Sequence, residues 1–442
     1  MSFRNLILTR NFSLRCPLRQ SILSTRYKSR ELWDERYKCK LLNDEELVKS
    51  INNKVIKEND LNSLEIDLFI NIAPPSLTET AQLQELVKQL ARIRRSLYAH
   101  TLLPSTPPAA CRLFLYSQRL PSLLHILDNR IDYGIFPDNF SMNLLIDEAL
   151  NKEHYNIASR LAALIMYQEE FGENYITDML SWISLTKYLE SKTDFKDWNT
   201  HSLADDPIFS DSIERTKEKT DVQAAETKKE EEDVDDEDEE DVEYVRIPFL
   251  RNPYFDNHFD LKNPRLICGK TLSMLGKSLI EPRMKKLANE SILLGYILQG
   301  KWSDAMGLLD AKESTLSSNR EIIENYLVNL HDIDAPPDNL KSDLLTRLKS
   351  VPATEKHLSE LITESVGDLG EMEDMDIRWL RASFVEYSEK RNAMLKAQRE
   401  KLAREKLIAE IRSKKEELSR KEQYLYFYDN LRRSRVTRIE YT

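Results

Sequence analysis

The sequence predicts an all-α protein built from helical hairpin repeats, with a long charged C-terminal helix. Only nine glycines occur in 442 residues, and charged residues make up 31% of the chain. The glycine-rich turns that a doubly wound sheet needs are therefore scarce. No segment shows the sustained period-two alternation of a half-buried strand, whereas several segments carry apolar residues at helical spacing.

Residues 133–147 predict the joint between two helical hairpins. Gly134 can adopt the left-handed conformation that ends a helix, and Pro137 cannot continue that helix. Asp138 or Asn139 can then cap the next helix. Apolar residues recur at helical spacing on both sides of this joint, namely Leu120, Leu123, Leu124, Leu127, Phe140, Leu144 and Leu145. Two amphipathic helices are expected to flank a tight turn.

Five regions are expected along the chain. These are a presequence at 1–30, an N-terminal helical-repeat domain at 31–191, a polar and acidic disordered linker at 192–243, a second helical-repeat-like region at 244–350, and a charged helical extension at 351–442. The N-terminal domain should contain five to seven packed helices between Thr78 and Ser191. In the second helix of the hairpin after the joint, the residues expected to face inward are Ala158, Leu161, Ala162 and Ile165.

The first thirty residues have the composition of a mitochondrial transit peptide. They hold five serines and no acidic residue, and basic residues recur at Arg4, Arg10, Arg15, Arg19, Arg26, Lys28 and Arg30. Their longest apolar run, 6–8, is too short for a secretory signal. The dipeptide Arg26-Tyr27 marks a candidate cleavage neighbourhood. The alternative is a basic arm that the mature protein retains.

The net charge of −11 comes from one segment. Twelve acidic residues lie between Glu230 and Glu243, and without them the chain would carry a net charge of +1. A run of like charges repels itself and cannot bury a core, so this segment is expected to be disordered.

The C-terminal extension is basic although the whole chain is acidic. Residues 378–442 hold eighteen Lys or Arg against ten Asp or Glu, and no glycine or proline follows Gly370. This composition favours a long helix. Its apolar residues are too sparse for a coiled-coil seam, so a mostly solvated helix on a charged surface is expected. The alternative is a water-facing helix held by internal i,i+4 ion pairs.

Two basic clusters are candidate RNA contacts. The terminal cluster lies beside Tyr424, Tyr426 and Tyr428 and consists of Arg432, Arg433, Arg435 and Arg438. Guanidinium groups pair with phosphates, and tyrosines can stack on exposed bases. The cluster nearest the repeats consists of Arg92, Arg94, Arg95, Arg112 and Arg119. Ordinary surface arginines are the alternative for the second cluster.

The run Gly-Ile-Phe-Pro-Asp at 134–138, followed by Asn-Leu-Leu-Ile-Asp at 143–147, resembles the pentatricopeptide repeat. Organelle RNA-binding proteins use this antiparallel helix pair. More narrowly, residues 133–147 resemble the mitochondrial small ribosomal subunit protein twenty-seven family. This resemblance implies a matrix location in the ribosome, with mitochondrial small-subunit ribosomal RNA and other mitochondrial ribosomal proteins as partners. No small-molecule substrate is expected. No stretch approaches the roughly 18 consecutive apolar residues that a membrane-spanning helix requires, so no membrane contact is expected either.

A linear code for reading bases is not intact. In the repeat class, one base is read by a residue near the start of the first helix together with one at the end of the same repeat. Asn143 holds the first kind of position, but its partner thirty residues on is Glu173. Recognition of RNA shape and phosphates is therefore expected, rather than sequence-specific readout.

No catalytic residue, metal site or cofactor is predicted. Residues 295–301 have the spacing of a phosphate-binding loop, but Trp302 stands where Ser or Thr must hold magnesium. Gly269-Lys270-Thr271 does not complete a phosphate-binding loop either, because Pro264 occupies the position of the first loop glycine. The seven histidines are isolated, and the cysteines are too far apart in sequence for a CxxC metal motif, at Cys16, Cys39, Cys111 and Cys268.

These patterns favour a non-catalytic structural constituent of the mitochondrial small ribosomal subunit. A free mitochondrial RNA-processing or translation factor of the same repeat class is the alternative. A more regular series of base-reading residue pairs would favour it. An enzyme would need a metal or nucleotide site that the sequence does not display.

Overall fold

The computed structural model describes residues 21–38, 61–72, 80–96, 99–191, 195–199, 263–279, 284–310, 320–329, 338–350, 354–367 and 369–439, with residues 49, 51, 53, 54, 261 and 318 between them. These residues contain sixteen α-helices and no strand. The all-α fold class is confirmed. The assignment of the hairpins to the pentatricopeptide type stays a prediction.

Nine of these sixteen described helices precede the acidic region. They are α1 Arg30–Asp34, α2 Ser63–Ile72, α3 Thr80–Arg95, α4 Thr106–Tyr116, α5 Leu120–Asp128, α6 Arg130–Tyr133, α7 Asn139–Asn151, α8 Tyr155–Gln168 and α9 Tyr175–Ser191. Seven helices follow it. They are α10 Pro264–Ser278, α11 Lys285–Gln299, α12 Trp302–Asp310, α13 Glu321–Asn329, α14 Asp338–Ser350, α15 Leu358–Val366 and α16 Gly370–Ile439.

The joint at 133–147 forms as its sequence predicts. Gly134 ends α6 in the left-handed conformation with φ of 72°. Asp138 is the residue that caps α7, because its Oδ1 accepts a hydrogen bond of 3.0 Å from the Ser141 backbone N–H. The four inward residues of α8 are fully buried, namely Ala158, Leu161, Ala162 and Ile165.

The helices before and after the acidic region form one continuous stack. Helices α7, α8 and α9 pack on one another, and α10 packs against both α8 and α9. The Trp182 indole N–H on α9 donates a 2.6 Å hydrogen bond to Ser291 Oγ on α11. At the start of the predicted linker, Phe195 and Trp198 pack against Tyr188. Residues 200–260, with the acidic run, lie outside the described residues.

Glycines in the α10–α11 hairpin serve close helix packing. A Cβ on Gly295 would lie 2.7 Å from the Gly269 carbonyl oxygen, and a Cβ on Gly269 would lie 2.8 Å from the Gly295 carbonyl oxygen. Gly300 ends α11 in the left-handed conformation. The glycine spacing that resembles a phosphate-binding loop therefore comes from one helix contact and one helix end.

The last helix, α16, has two parts with different surroundings. It spans 70 residues, which corresponds to a length of roughly 105 Å. We define its first part, residues 370–395, as the root, which packs against α2 and α9. We define residues 396–433 as the free helix. Every residue from 399 to 429 is exposed.

A buried ion pair fixes the root to the helical stack. Arg391 Nε lies 2.6 Å from Asp67 Oδ2 on α2, and the two side chains are 2% and 0% exposed. Asp67 Oδ1 accepts further hydrogen bonds from the Ser105 and Thr106 hydroxyls of the α4 N-terminus. The apolar stripe that faces the stack holds Ile377 and Leu380, each 1% exposed. These contacts place the start of the free helix at the edge of the folded body.

Candidate nucleic-acid interface

The last turn of α3 and the short helix α6 form a basic edge on the stack. Arg94 donates a 2.8 Å hydrogen bond through Nε–H to the Ile131 carbonyl oxygen, which fixes the two helices together. Arg92 and Arg95 are exposed beside this contact, and Ile131 is 73% exposed. We name this group, Arg92, Arg94, Arg95 and Ile131, the hairpin edge.

The hairpin edge also has a structural role. Cations at the C-terminal end of a helix are stabilised by its dipole, so the three arginines favour the end of α3. The aliphatic part of Arg94 lies over Gly134, where an added Cβ would be 3.3 Å from Arg94 Cδ. Arg92 and Arg95 are the exposed members of this cluster.

Arg112 does not reach the surface. Its side chain is 2% exposed, and its guanidinium carbon lies 4.3 Å from the centre of the Trp33 ring and 5.3 Å from that of Phe140. Burial lowers the pKa of this guanidinium. The structure places Arg112 inside the core as a cation between aromatic rings. It does not offer its charge to an external phosphate.

Asn143 is also internal, and both ends of its amide are engaged. Its Nδ2 donates to the Tyr27 hydroxyl at 3.0 Å, and its Oδ1 accepts from the Thr177 hydroxyl at 2.7 Å. Asn143 is fully buried. In this fold the residue in the base-reading position therefore holds α7 to α9, and no polar atom of it remains for a base.

The other predicted arginines are spread over the chain. Arg119 is half-buried at the N-cap of α5. Arg433 is exposed near the end of α16. Arg432, Arg435 and Arg438 lie within α16, but their side chains are outside the described residues. The predicted contacts thus fall into four groups. These are the arginines of the hairpin edge, the buried Arg112 and Asn143, the half-buried Arg119, and the terminal arginines.

The free helix is a larger basic surface than the terminal arginine cluster that the sequence predicts. Residues 396–433 hold twelve Lys or Arg against seven Asp or Glu. Lys401 pairs with Glu405 at an Nζ–Oε1 distance of 4.0 Å. Four basic residues nearer the tip have no ion-pair partner among the described residues, namely Lys414, Lys415, Arg420 and Lys421. Internal ion pairs therefore account for only part of this charge.

Exposed apolar side chains accompany the basic residues. Leu418 is 65% exposed, and the five consecutive residues from Tyr424 to Tyr428 are each between 58% and 69% exposed. Five consecutive helical residues point in all directions around the axis. Aromatic side chains with nearby cations are the combination that single-stranded or splayed nucleotides use for stacking and phosphate contact.

A cleft of about 420 Å³ lies beside α6, but its polar groups are satisfied internally. Arg160 pairs with Asp128 and donates to the Trp198 carbonyl oxygen. Arg130 donates to the Leu164 carbonyl oxygen at 3.3 Å, and its guanidinium lies 5.5 Å from the Tyr167 ring centre. Burial raises the pKa of Asp128. These contacts join α5, α6 and α8, so the charged groups that line the cleft have structural partners within the stack.

The described residues hold neither a metal cluster nor a membrane-spanning helix. No group of three or more His, Cys, Asp or Glu side chains there is placed to hold a metal ion. No helix within the same residues is long and apolar enough to cross a membrane. Burial raises the pKa of the Cys111 and Cys268 thiols, so both stay protonated and unreactive in the folded state.

The helical stack and the exposed basic helix define an all-α scaffold whose most distinctive surfaces carry positive charge. The family model of mitochondrial 28S ribosomal protein S27 matches residues 1–417. The chain therefore belongs to this family, and the resemblance read from residues 133–147 is confirmed. Membership assigns the chain to the small subunit of the mitochondrial ribosome and to the mitochondrion. Ribosomal protein families of this kind are generally structural.

Proposed function

We propose that this protein is a non-catalytic constituent of the mitochondrial small subunit that binds ribosomal RNA through the free helix, and secondarily through the hairpin edge. The helical stack would contact neighbouring ribosomal proteins and hold the two basic surfaces in place. The observation that carries the proposal is the exposure of every residue from 399 to 429, together with the basic excess of that part of the chain.

RNA is the partner that best fits the free helix. A solvated helix of about 57 Å gains little from its own folding, and its exposed aromatic residues would be costly to leave in water. Phosphates would neutralise the basic residues and release counterions. Splayed bases would cover the tyrosines around the tip. The arginines at 432, 433, 435 and 438 extend the same basic surface in sequence.

The division of the chain is part of the same proposal. The acidic run between Glu230 and Glu243 has the wrong charge for RNA contact, so we propose that it is a linker that connects the two helical regions along the chain. The pentatricopeptide-like hairpins would act as a rigid support. They would not read a sequence of bases, since Asn143 is occupied by protein contacts.

The test is sedimentation of a mitochondrial lysate, with and without magnesium chelation, in which this protein is followed beside small-subunit RNA. Near-stoichiometric migration with the small subunit supports the proposal. Migration in light fractions or with other RNAs would instead favour a free RNA-processing or translation factor. This experiment decides between the two functions but does not locate the RNA contact.

A matched pair of variants locates the contact. The first variant replaces Lys414, Lys415, Arg420 and Lys421 by glutamine, and the second keeps the charge by exchanging Lys and Arg at the same positions. If these four residues contact phosphates, the plot of log incorporation against log salt concentration should become less steep in the first variant only. Its slope should change by about three. Equal incorporation of both variants at every salt concentration would show that this part of the helix does not bind phosphate.

A further inference from the structure

The described chain begins with a segment that locks the root of α16 to the helical stack. We define residues 21–38 as the N-terminal clasp. Its first ten residues fall within the region whose composition predicts a presequence, and its remainder holds α1 and a 3-10 turn, Glu35–Lys38. The clasp touches α7 on one side and the root on the other, although these elements lie more than 200 residues apart in sequence.

Tyr27 is the centre of the clasp. It is fully buried, and its ring is stacked on Phe140 with 4.2 Å between the ring centres and an interplanar angle of 9°. Its hydroxyl donates to Asp376 Oδ2 on the root at 2.9 Å and accepts from Asn143 Nδ2 on α7 at 3.0 Å. One phenol therefore satisfies polar groups on two helices that must stay together.

Two buried carboxylates take most of their hydrogen-bond donors from the clasp, although Asn151 on α7 also donates to Asp147. Asp147 on α7 is fully buried and accepts from the Ser21 hydroxyl at 3.0 Å and the Lys28 ammonium at 3.0 Å. Glu373 on the root is 6% exposed and accepts from the Ser24 backbone N–H at 2.9 Å. Buried carboxylates without such partners are strongly destabilising.

The C-terminal part of the clasp repeats this arrangement. Trp33 is 5% exposed and meets Phe384 of the root edge-to-face, with 5.5 Å between ring centres. Glu35 accepts from Arg381 of the root at 2.8 Å. Arg36 donates to the Asn71 carbonyl oxygen at the end of α2 at 3.2 Å. The clasp thus contacts the root along several helical turns.

From these contacts we infer that residues 21–38 belong to the mature folded protein, and that any presequence removed on import ends before Ser21. Removal is the hydrolysis of one peptide bond by a matrix protease, with water as the co-reactant. Cleavage at Arg26-Tyr27, the neighbourhood suggested by composition, would remove the donors Ser21 and Ser24 and would make Tyr27 or Lys28 a chain terminus. A leader that ends before Ser21 would instead carry the basic residues Arg4, Arg10, Arg15 and Arg19.

The inference does not depend on RNA binding, and its first test is direct. The endogenous protein is isolated from mitochondria, and its N-terminus is determined by intact mass and sequencing of the first peptide. A first residue at position 21 or earlier is expected. A first residue after Ser21 would overturn the inference, whatever the sedimentation of the protein shows.

A second test measures the clasp in the full chain by hydrogen exchange. In the unmodified protein, peptides from residues 21–38 and from the root should be protected together. Tyr27→Phe keeps the ring and removes only the hydroxyl, so exchange should rise at least tenfold in both segments while peptides of α10 and α11 stay unchanged. Arg26→Ala is the control, because Arg26 is 64% exposed and meets only the exposed Asp374.

Two outcomes of that experiment would contradict the clasp. Exchange of residues 21–38 at the rate of an unfolded peptide in the unmodified protein would show that the segment is not docked. A rise confined to residues 21–38 in Tyr27→Phe, with the root unaffected, would show that the segment is packed but does not hold the root.

Discussion

The root and the free helix belong to one uninterrupted helix, yet they have opposite surroundings. In the root, Ile377 and Leu380 are each 1% exposed, and Arg391 forms a fully buried ion pair. In the free helix, every residue from 399 to 429 is exposed. The comparison shows that one helix can anchor at one end and extend a charged surface at the other.

Apolar spacing explains where the helix leaves the body. In the root, apolar residues alternate at three and four positions, at Ile377, Leu380, Phe384 and Tyr387. This is the spacing that keeps one face against a partner. Beyond Leu395 the apolar residues lose this spacing, and Lys or Arg occupies many of the intervening positions. Without an apolar face, the helix persists because its residues have high helix propensity and no glycine or proline interrupts it.

Replacement of Arg391 by methionine should have the largest effect on stability. Asp67 would remain buried without its cationic partner, which costs about 3–5 kcal/mol in the free energy of unfolding. The remaining hydrogen bonds from Ser105 and Thr106 favour the lower end of that range. Urea unfolding of the full chain, followed by circular dichroism, measures the change.

The neighbouring residue provides the control for this variant. Lys390 forms an i,i+4 pair with Glu386, and both side chains are exposed, at 45% and 58%. Lys390→Met should therefore change the free energy of unfolding by less than about 0.5 kcal/mol. Similar small changes for both variants would mean that the root is not packed against α2.

Leucine-to-alanine substitutions compare the two parts of α16 directly. Leu380→Ala removes a side chain that is 1% exposed in the root, and should cost about 3 kcal/mol. Leu418→Ala removes a side chain that is 65% exposed, and should change stability by no more than about 0.5 kcal/mol. Equal costs, measured by the same unfolding experiment, would show that the free helix is packed against the body in solution.

Glycine substitutions test the close packing of the body that supports the root. An alanine Cβ at Gly295 would meet the Gly269 carbonyl oxygen at 2.7 Å and the Ser273 nitrogen at 2.9 Å, both backbone atoms. Gly295→Ala should cost about 1–3 kcal/mol, because the helices must move apart. Gly307→Ala is the control, since a Cβ there would meet no described atom within 4 Å apart from its chain neighbours and its own helix backbone, and it should stabilise α12 by about 0.5–1 kcal/mol. Thermal unfolding distinguishes the two outcomes.

The pH dependence at Asp178 tests the helix α9 against which the root packs. Burial raises the pKa of Asp178 to about 7, and a hydrogen bond from the Gly172 backbone N–H lowers it in part. The folded pKa therefore lies above the unfolded value of about 4. The stabilising contribution of this carboxyl is fully present below pH 4 and is lost as the pH rises through 7.

Asp178→Asn should remove this dependence while it keeps an oxygen that accepts from Gly172. The variant and the unmodified protein should be equally stable near pH 4, and the variant should be more stable by up to about 4 kcal/mol at pH 8, because each pKa unit between the two states corresponds to about 1.4 kcal/mol. Urea midpoints measured from pH 4 to 8 give the difference. A variant that is less stable at pH 8 would mean that the charged carboxylate is favoured in the fold.

Local signals in the sequence were sufficient for the hairpin joint and for the last helix. Gly134, Pro137 and Asp138 each restrict the backbone or supply a cap through their own chemistry, and the structure places them as expected. The absence of glycine and proline after Gly370 predicts α16, which begins at that residue. The root could also have been predicted, because its apolar spacing is visible once it is separated from the sparse stretch after Leu395.

Contacts between distant segments were beyond the reach of the sequence alone. The sequence predicts that Arg112 lies at the surface, because no residue near it in sequence indicates that Trp33 and Phe140 surround it. Asn143 reads as a base contact, yet its partners Tyr27 and Thr177 lie 116 and 34 residues away. The clasp could not be predicted for the same reason. The composition of residues 1–30 shows their charge, but it does not show that Tyr27 contacts the distant Asp376.

Ultraviolet cross-linking of the intact small subunit, followed by mass spectrometry of the cross-linked peptides, would identify the surface of this protein that contacts RNA. If the free helix binds RNA, the tyrosines at 424, 426 and 428 and their basic neighbours should cross-link to small-subunit ribosomal RNA. The buried root should give no cross-links. RNA cross-links from other surfaces of this protein, with none from residues 396–433, would contradict the assignment of the free helix as its RNA contact.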